Sequence, residues 1–184
     1  MYRKGFLMRS NEFVPNILIY HLHQDDPRKC TSSKMLRMRM ASLISPRGIR
    51  PRSLVLNPSS EDILLASDRI NIRFGLVVID CSWKQSSPVF MRHFRGINKR
   101  LPILLAGNPV NYGHPFRLSS VEAVAGSLFL MHFEEQAKRI LSKFKWGMTF
   151  LTLNELPLKD YSLASSEAEI LNVEREYFPQ IYPS

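Results

Sequence analysis

The chain has 184 residues, 45 % of them hydrophobic, and carries 25 Lys plus Arg against 16 Asp plus Glu, a net charge of +9. That apolar content builds a core in one compact domain, or in two small ones sharing a core, and excludes wholesale disorder; a positive surplus of this size favours a polyanionic partner. Two cysteines, Cys30 and Cys81, with no C-x-x-C pair exclude a disulfide scaffold, and no apolar run reaches the length of a membrane span.

The stretch 1–15 is too polar after its first residues for a secretory signal, so a reducing cytoplasm is the expected compartment. "NILIYHL" (16–22) reads as a strand, and "HQDDPRKCTSSK" (23–34) as a polar loop in which Ser32 or Ser33 caps a helix over 34–44. Leu36, Met40 and Leu43 share one face of that helix. After the Pro- and Gly-rich break at 45–52, "SLVLN" (53–57) reads as a second strand, and 58–75 as one or two helical turns ending near Gly75. "LVVIDCS" (76–82) is apolar on both faces, as a central parallel strand must be. The spacing then predicts a helix over 87–100, capped by Ser87 with Pro88 at its first position. Phe90, Phe94 and Ile97 form its buried face, and Arg92, Arg95 and Lys99 a basic stripe. "LPILLAGN" (101–108) reads as a further buried strand.

From Ser119 the chain reads as helical. Ser119 and Glu122 have capping-box spacing before a helix running to about 144, with Lys and Arg gathered at its end. A shorter helical region covers 146–161, and Ser166 with Glu169 caps a last helix, 167–177. The expected fold is α/β: a mostly parallel sheet with flanking helices over 1–108, and a helical domain over 109–184 that completes a ligand pocket.

Ligands of an open parallel sheet bind beyond the carboxyl ends of its strands, which here are "IDCSW" (79–83) and "AGNPVNYG" (106–113). Asp80 is either a base in a dry pocket or a cap for a neighbouring backbone donor. Trp83 is either core or an aromatic wall for a flat ligand. Cys81 reads as a small buried hydrophobe. Alternation puts His21 and His23 on one side of a strand near Asp25 and Asp26, but nothing else has ligand spacing, so no metal is expected. G-x-G-x-x-G, P-loop and G-x-S-x-G motifs are all missing, which removes the usual support for dinucleotide binding, nucleotide hydrolysis and serine hydrolase chemistry.

Several motifs nevertheless stand in order: "DDPRKCTSSK" (25–34), "DCSW" (80–83), "LP-x-L" (101–104), "NPVNYG" (108–113), "LSSVEA" (118–123) and "KFKWG" (143–147). With these the chain resembles, from about residue 16 to about 175, the aminocarboxypropyltransferase family that modifies small-subunit ribosomal RNA during ribosome biogenesis; its short tails resemble the archaeal members. The resemblance implies S-adenosylmethionine (SAM) as cofactor and a SPOUT-like fold with a trefoil knot. It also implies cofactor contacts, largely through backbone groups, at Thr31, Ile79, Leu101, Phe116 and Ser120, with Trp83 as a wall of the pocket.

The implied reaction moves the 3-amino-3-carboxypropyl group of SAM to N3 of a uracil-type base in small-subunit rRNA, releasing methylthioadenosine. Asp80 is then the candidate general base or a cofactor orienter. An unpaired base in an RNA loop is the expected target, and Lys29, Lys34, Arg37, Arg92, Arg95 and Lys99 are candidate phosphate contacts. The expected partner is small-subunit rRNA or a pre-ribosomal particle, met by a monomer. The rival readings are a SPOUT-type rRNA methyltransferase and a non-catalytic RNA-binding assembly factor.

Overall fold

The computed structural model describes residues 13–22, 26, 30–80 and 93–182. Five strands form one sheet, β1 (Ile17–His21), β2 (Ser42–Leu43), β3 (Leu54–Leu56), β4 (Leu76–Asp80) and β5 (Ile97–Lys99), in the order β2-β1-β4-β3-β5. Every pairing is parallel. The helices among the described residues are α1 (Thr31–Arg37), α2 (Ser120–Leu130), α3 (Glu134–Leu141), α4 (Gly147–Leu153), α5 (Glu155–Leu163) and α6 (Glu167–Tyr177).

β4 is the middle strand, and all five of its residues are buried. Because side chains alternate along a strand, Leu76 and Val78 pack with Ile17, Ile19 and Leu54 against the helices. Val77 and Ile79 pack on the other face with Ile49, Val55 and Phe94. The larger cluster runs without a break from the sheet into Val121, Leu128, Phe150 and Ile170 of the helical region, so residues before and after 108 share a core.

Several expectations hold. β1, β3 and β4 lie inside the predicted strands. A 3-10 segment, Ala66–Phe74, ends at Gly75, whose φ of 107° suits glycine and whose added Cβ would lie 2.6 Å from Leu18 Cδ1. Ser166 accepts a hydrogen bond from Glu169 N–H and starts α6.

Others are corrected. The helix expected over 34–44 begins at Thr31, is capped by the Cys30 side chain rather than by Ser32 or Ser33, and stops at Arg37. Arg39 takes φ 56°, a left-handed value that breaks the helix, and residues 42–43 instead extend the sheet beside β1. Leu43 is therefore exposed rather than part of a buried face. The helix expected over 87–100 fails at its end: Ile97–Lys99 is β5, paired with β3, so Arg95 and Lys99 do not share a helical stripe. Ser87, Pro88, Phe90 and Arg92 lie outside the described residues. The long helix expected from 119 to 144 divides at His132, φ 61°, into α2 and α3, and the one over 146–161 divides at Asn154 into α4 and α5.

The largest correction concerns 101–108. This buried segment is not a strand; among the described residues its only ladder contact is an isolated bridge from Leu105 to Pro115. Apart from Ala106, which pairs with the main chain of Gly113 and His114, its main-chain groups are bonded largely by side chains of the helical region. Ile103 N–H donates to Glu174 Oε1 at 2.9 Å, and Ile103 O accepts from the Tyr161 hydroxyl at 3.1 Å. Leu105 N–H donates to Asn154 Oδ1 at 2.7 Å, and Leu105 O accepts from Asn154 Nδ2 at 2.9 Å. Buried amides must find partners, and a carboxamide supplies donor and acceptor together, as a neighbouring strand would.

Candidate active site

The loop after that segment is held from below by one carboxylate. Glu122, fully buried in the first turn of α2, accepts from Gly107 N–H (2.6 Å), Asn108 N–H (2.9 Å) and Asn108 Nδ2 (2.8 Å). The same side chain reaches back to Ser119 N–H (2.7 Å) and Ser119 Oγ (2.6 Å), closing the predicted capping interaction. Asn108 Oδ1 then accepts from Val110 N–H and Asn111 N–H, a side-chain turn that folds the "NPVNYG" loop. Gly107 is obligatory because a Cβ there would sit 2.6 Å from Phe150 N. Pro109 and the Asn108 side-chain turn stiffen this loop, whose residues 108–111 line a cavity.

Between this loop, the end of β4 and the start of α1 lies an open cavity of about 1010 Å³. It is lined by Thr31, Ile79, Asp80, Leu101, Phe116 and Ser120, every described residue that the sequence marked for cofactor contact or catalysis. Those positions are scattered over ninety residues of sequence, and the parallel sheet brings them to one edge. Trp83 lies outside the described residues. Phe116 holds φ 58° at the rim and is exposed. A non-glycine residue in that region stores strain of about 1–3 kcal/mol, the kind found at ligand clamps.

Asp80 is only 7 % exposed. Its Oδ1 accepts from Ser120 Oγ at 2.5 Å. Ser120 opens α2, so the carboxylate also sits at the positive end of that helix. Its Oδ2 accepts from the Cys30 thiol at 3.4 Å and lies 3.5 Å from His21 Nε2. His21 Nε2 is also 3.6 Å from Cys30 Sγ and 3.0 Å from Ser33 Oγ. Burial first, and the Asp80 charge beside it, push the Cys30 thiol pKa up, while two hydrogen bonds from Ser33 pull the other way. Asp80 therefore lines the cavity while its carboxylate is held by side chains, Ser120, Cys30 and His21, rather than by a backbone donor.

The candidate phosphate contacts separate. Arg37 and Arg95 are exposed. Lys34 lines the cavity but is engaged, donating to Lys143 O at 2.6 Å and lying 4.4 Å from the Phe144 ring centroid. Lys99 is engaged too, 3.5 Å from Glu167 and 3.9 Å from Asp68, so its ammonium faces carboxylates rather than solvent phosphate. Lys29 and Arg92 lie outside the described residues.

Sequence reasoning passed over Arg100 and Arg117, two cations on the cavity wall, and Tyr182. Arg100 is anchored on buried Glu174 at 2.9 Å, and Glu174 also accepts from the Tyr182 hydroxyl. Phe144 and Trp146, with ring centroids 5.6 Å apart, add an aromatic wall. The "KFKWG" motif carries that signal in the sequence.

The fit to SAM rests on the donor set. Aliphatic walls from Val78, Ile79, Leu101 and Leu104 suit a purine face, and a carboxylate at one end suits a cationic group.

Comparison with known proteins agrees with the geometry. Residues 54–178 match the family model described as ribosome biogenesis protein, C-terminal. The chain is 42 % identical over 164 residues to the 16S rRNA aminocarboxypropyltransferase of Methanosarcina mazei, covering 88 % of this chain and 94 % of the relative. It is 41 % identical over 167 residues to the enzyme of the same name from Vulcanisaeta distributa, covering 88 % and 90 %. The solved structure of the SAM-dependent rRNA:acp-transferase Tsr3 from Vulcanisaeta distributa superposes with a TM-score of 0.82 at 39 % identity, covering 90 % of this chain and 89 % of that one. The chain belongs to the ribosome biogenesis protein family that includes the archaeal 16S rRNA aminocarboxypropyltransferases.

Proposed function

We propose that this chain transfers the 3-amino-3-carboxypropyl group of SAM to N3 of a uridine or pseudouridine in small-subunit rRNA during ribosome biogenesis, releasing methylthioadenosine. The reaction class, SAM-dependent aminocarboxypropyl transfer to 16S rRNA, follows from family membership along nearly the whole chain. The observation that carries the finer reading is the meeting of Thr31, Ile79, Asp80, Leu101, Phe116 and Ser120 on one cavity.

Bound SAM supplies an electrophilic side-chain carbon whose bond to sulfur breaks as N3 bonds to it, the electron pair passing to sulfur and the N3 proton to a base. Asp80 is proposed to take that proton or to orient the donor. Ser120 and the start of α2 hold its carboxylate. Trp83, three residues beyond Asp80, is the proposed wall that buries the methyl group and leaves the longer arm facing the base. Arg37 and Arg95, with Lys29 and Arg92, are the proposed phosphate contacts. Lys34 is proposed as a contact only if its bond to Lys143 O opens.

The SPOUT-like topology with its trefoil knot belongs to the same reading and rests on the resemblance; a crystal structure tracing 81–92 tests it. So do action on rRNA or a pre-ribosomal particle, in the cytoplasm, by a monomer. No helix among the described residues is long and apolar enough to cross a membrane.

The test is incubation with SAM labelled in its carboxypropyl carbons and small-subunit RNA. Label in the RNA with stoichiometric methylthioadenosine is expected; S-adenosylhomocysteine as the product overturns the reading in favour of methylation. Asp80→Asn separates the roles: a general base predicts a fall in kcat of about 100-fold or more with SAM affinity nearly kept. Surviving transfer with weakened SAM binding assigns Asp80 to orientation alone.

A further inference from the structure

We propose that His21, Cys30 and Asp80 form a binding site for a single thiophilic divalent cation, with zinc the best fit. The three donor atoms come from β1, from the residue that caps α1, and from β4, and they lie within 4.8 Å of one another. The separations are Cys30 Sγ to His21 Nε2 3.6 Å, Cys30 Sγ to Asp80 Oδ2 3.4 Å, and His21 Nε2 to Asp80 Oδ2 3.5 Å. Zinc holds nitrogen and oxygen at about 2.0 Å and sulfur at about 2.3 Å, so tetrahedral angles put neighbouring ligands about 3.3–3.6 Å apart. The triangle matches one face of that tetrahedron. A mixed thiolate, imidazole and carboxylate set suits a borderline-soft ion and disfavours magnesium or calcium.

The surroundings hold the donors in place. His21 and Asp80 are register partners on adjacent parallel strands, which fixes their spacing through the backbone. Ser33 N–H donates to Cys30 Sγ at 3.3 Å, a bond that stabilises a thiolate. Ser120 occupies the other oxygen of Asp80 and leaves Oδ2 turned toward the cluster. Cys30 and Asp80 are both 7 % exposed, and the His21 side chain is 4 % exposed. Among the described residues no fourth donor joins the three, and Cys30 and Asp80 both line the cavity, from which water or a ligand can reach the fourth corner. Coordination displaces the thiol proton to solvent and ties α1 to the sheet, so a bound ion stabilises the fold.

The test uses the full chain stripped with a chelator, with neither SAM nor RNA present, so its outcome is independent of the transferase reading. Cobalt titration is expected to saturate at about one equivalent with a near-ultraviolet thiolate-to-cobalt band, and zinc is expected to displace the cobalt and raise Tm. Cys30→Ser removes the band, Cys30→Ser and His21→Ala each weaken binding at least about tenfold, and Cys81→Ser changes neither. Binding that does not saturate, or a band that survives Cys30→Ser, overturns the site. Should a variant not fold, X-ray absorption on the zinc-loaded wild type decides: one sulfur at about 2.3 Å with nitrogen or oxygen otherwise supports the site, and a shell with no sulfur or two overturns it.

Discussion

β4 and the segment 101–108 are both buried and apolar, and both form walls of the cavity, yet they are held by different means. β4 lies between β1 and β3, and its amides are paired by ladders in which the identity of the neighbouring side chains is immaterial. Segment 101–108 has no neighbouring strand among the described residues. Apart from Ala106, which pairs with the main chain of Gly113 and His114, its main-chain groups are bonded largely by four side chains, Glu122, Asn154, Tyr161 and Glu174, from the helical region that follows it in sequence. A wall of the first kind withstands substitution of any one neighbour, whereas a wall of the second kind fails at a single residue. The tight placement of main-chain groups around the cavity therefore rests on a few buried polar residues remote from any ligand.

Glu122→Ala is the sharpest way to break that contrast. It strands several buried donors at once and is expected to cost about 4 kcal/mol or more, lowering Tm by about 10 °C or more. It should also weaken SAM binding by disordering the "NPVNYG" loop, which calorimetry measures. Next comes Asn154→Ala, which orphans Leu105 N–H, Leu105 O and Phe150 O and should cost about 3 kcal/mol by chemical denaturation. A loss below about 1 kcal/mol would show that water replaces the carboxamide and would erase the distinction between the two walls.

Leu76→Ala in β4 and Leu104→Ala in the segment form a control. Both residues are at most 1 % exposed, so each should cost about 2–5 kcal/mol and nearly the same amount, because cavity creation takes no account of how the main chain is paired. Ser120→Ala is smaller, about 1 kcal/mol, because Asp80 keeps its other partners.

The smallest effect is in alkali. Burial, and then the bond to Glu174, push the Tyr182 phenol up to about 12 from the usual 10.0. Its folded pKa is the higher, so its contribution is complete below pH 10 and is lost as pH rises toward 12. Tyr182→Phe should flatten the loss of Tm across that window in pH-stepped melts.

Much of this was legible in the residues. "LVVID" has no polar position before Asp80, and only a strand covered on both faces accommodates that. Spacing gave the Ser119–Glu122 cap, but not that the same carboxylate would hold Gly107 and Asn108, fifteen and fourteen residues away. The apolar run 101–108 reads as a strand because burial is all that hydrophobicity reports, and no local signal tells whether an amide will meet a strand or an asparagine. His21, Cys30 and Asp80 are fifty-nine residues apart from first to last, and spacing rules register only ligands that are close in sequence.

The sequence by itself determined the parallel α/β class, the strand that ends in Asp80, the helical caps and, through ordered motifs, the family. These follow from local periodicity, capping chemistry and near-exact words of sequence. Tertiary structure alone decided that 101–108 is a side-chain-paired wall, that Lys99 is paired with carboxylates, and that a histidine, a thiol and a carboxylate meet beside the cavity. The physical reason is that hydrogen bonds and ligand geometries are satisfied in space, by whichever groups the packed core brings within about 3 Å, and chain order places no limit on which groups those are.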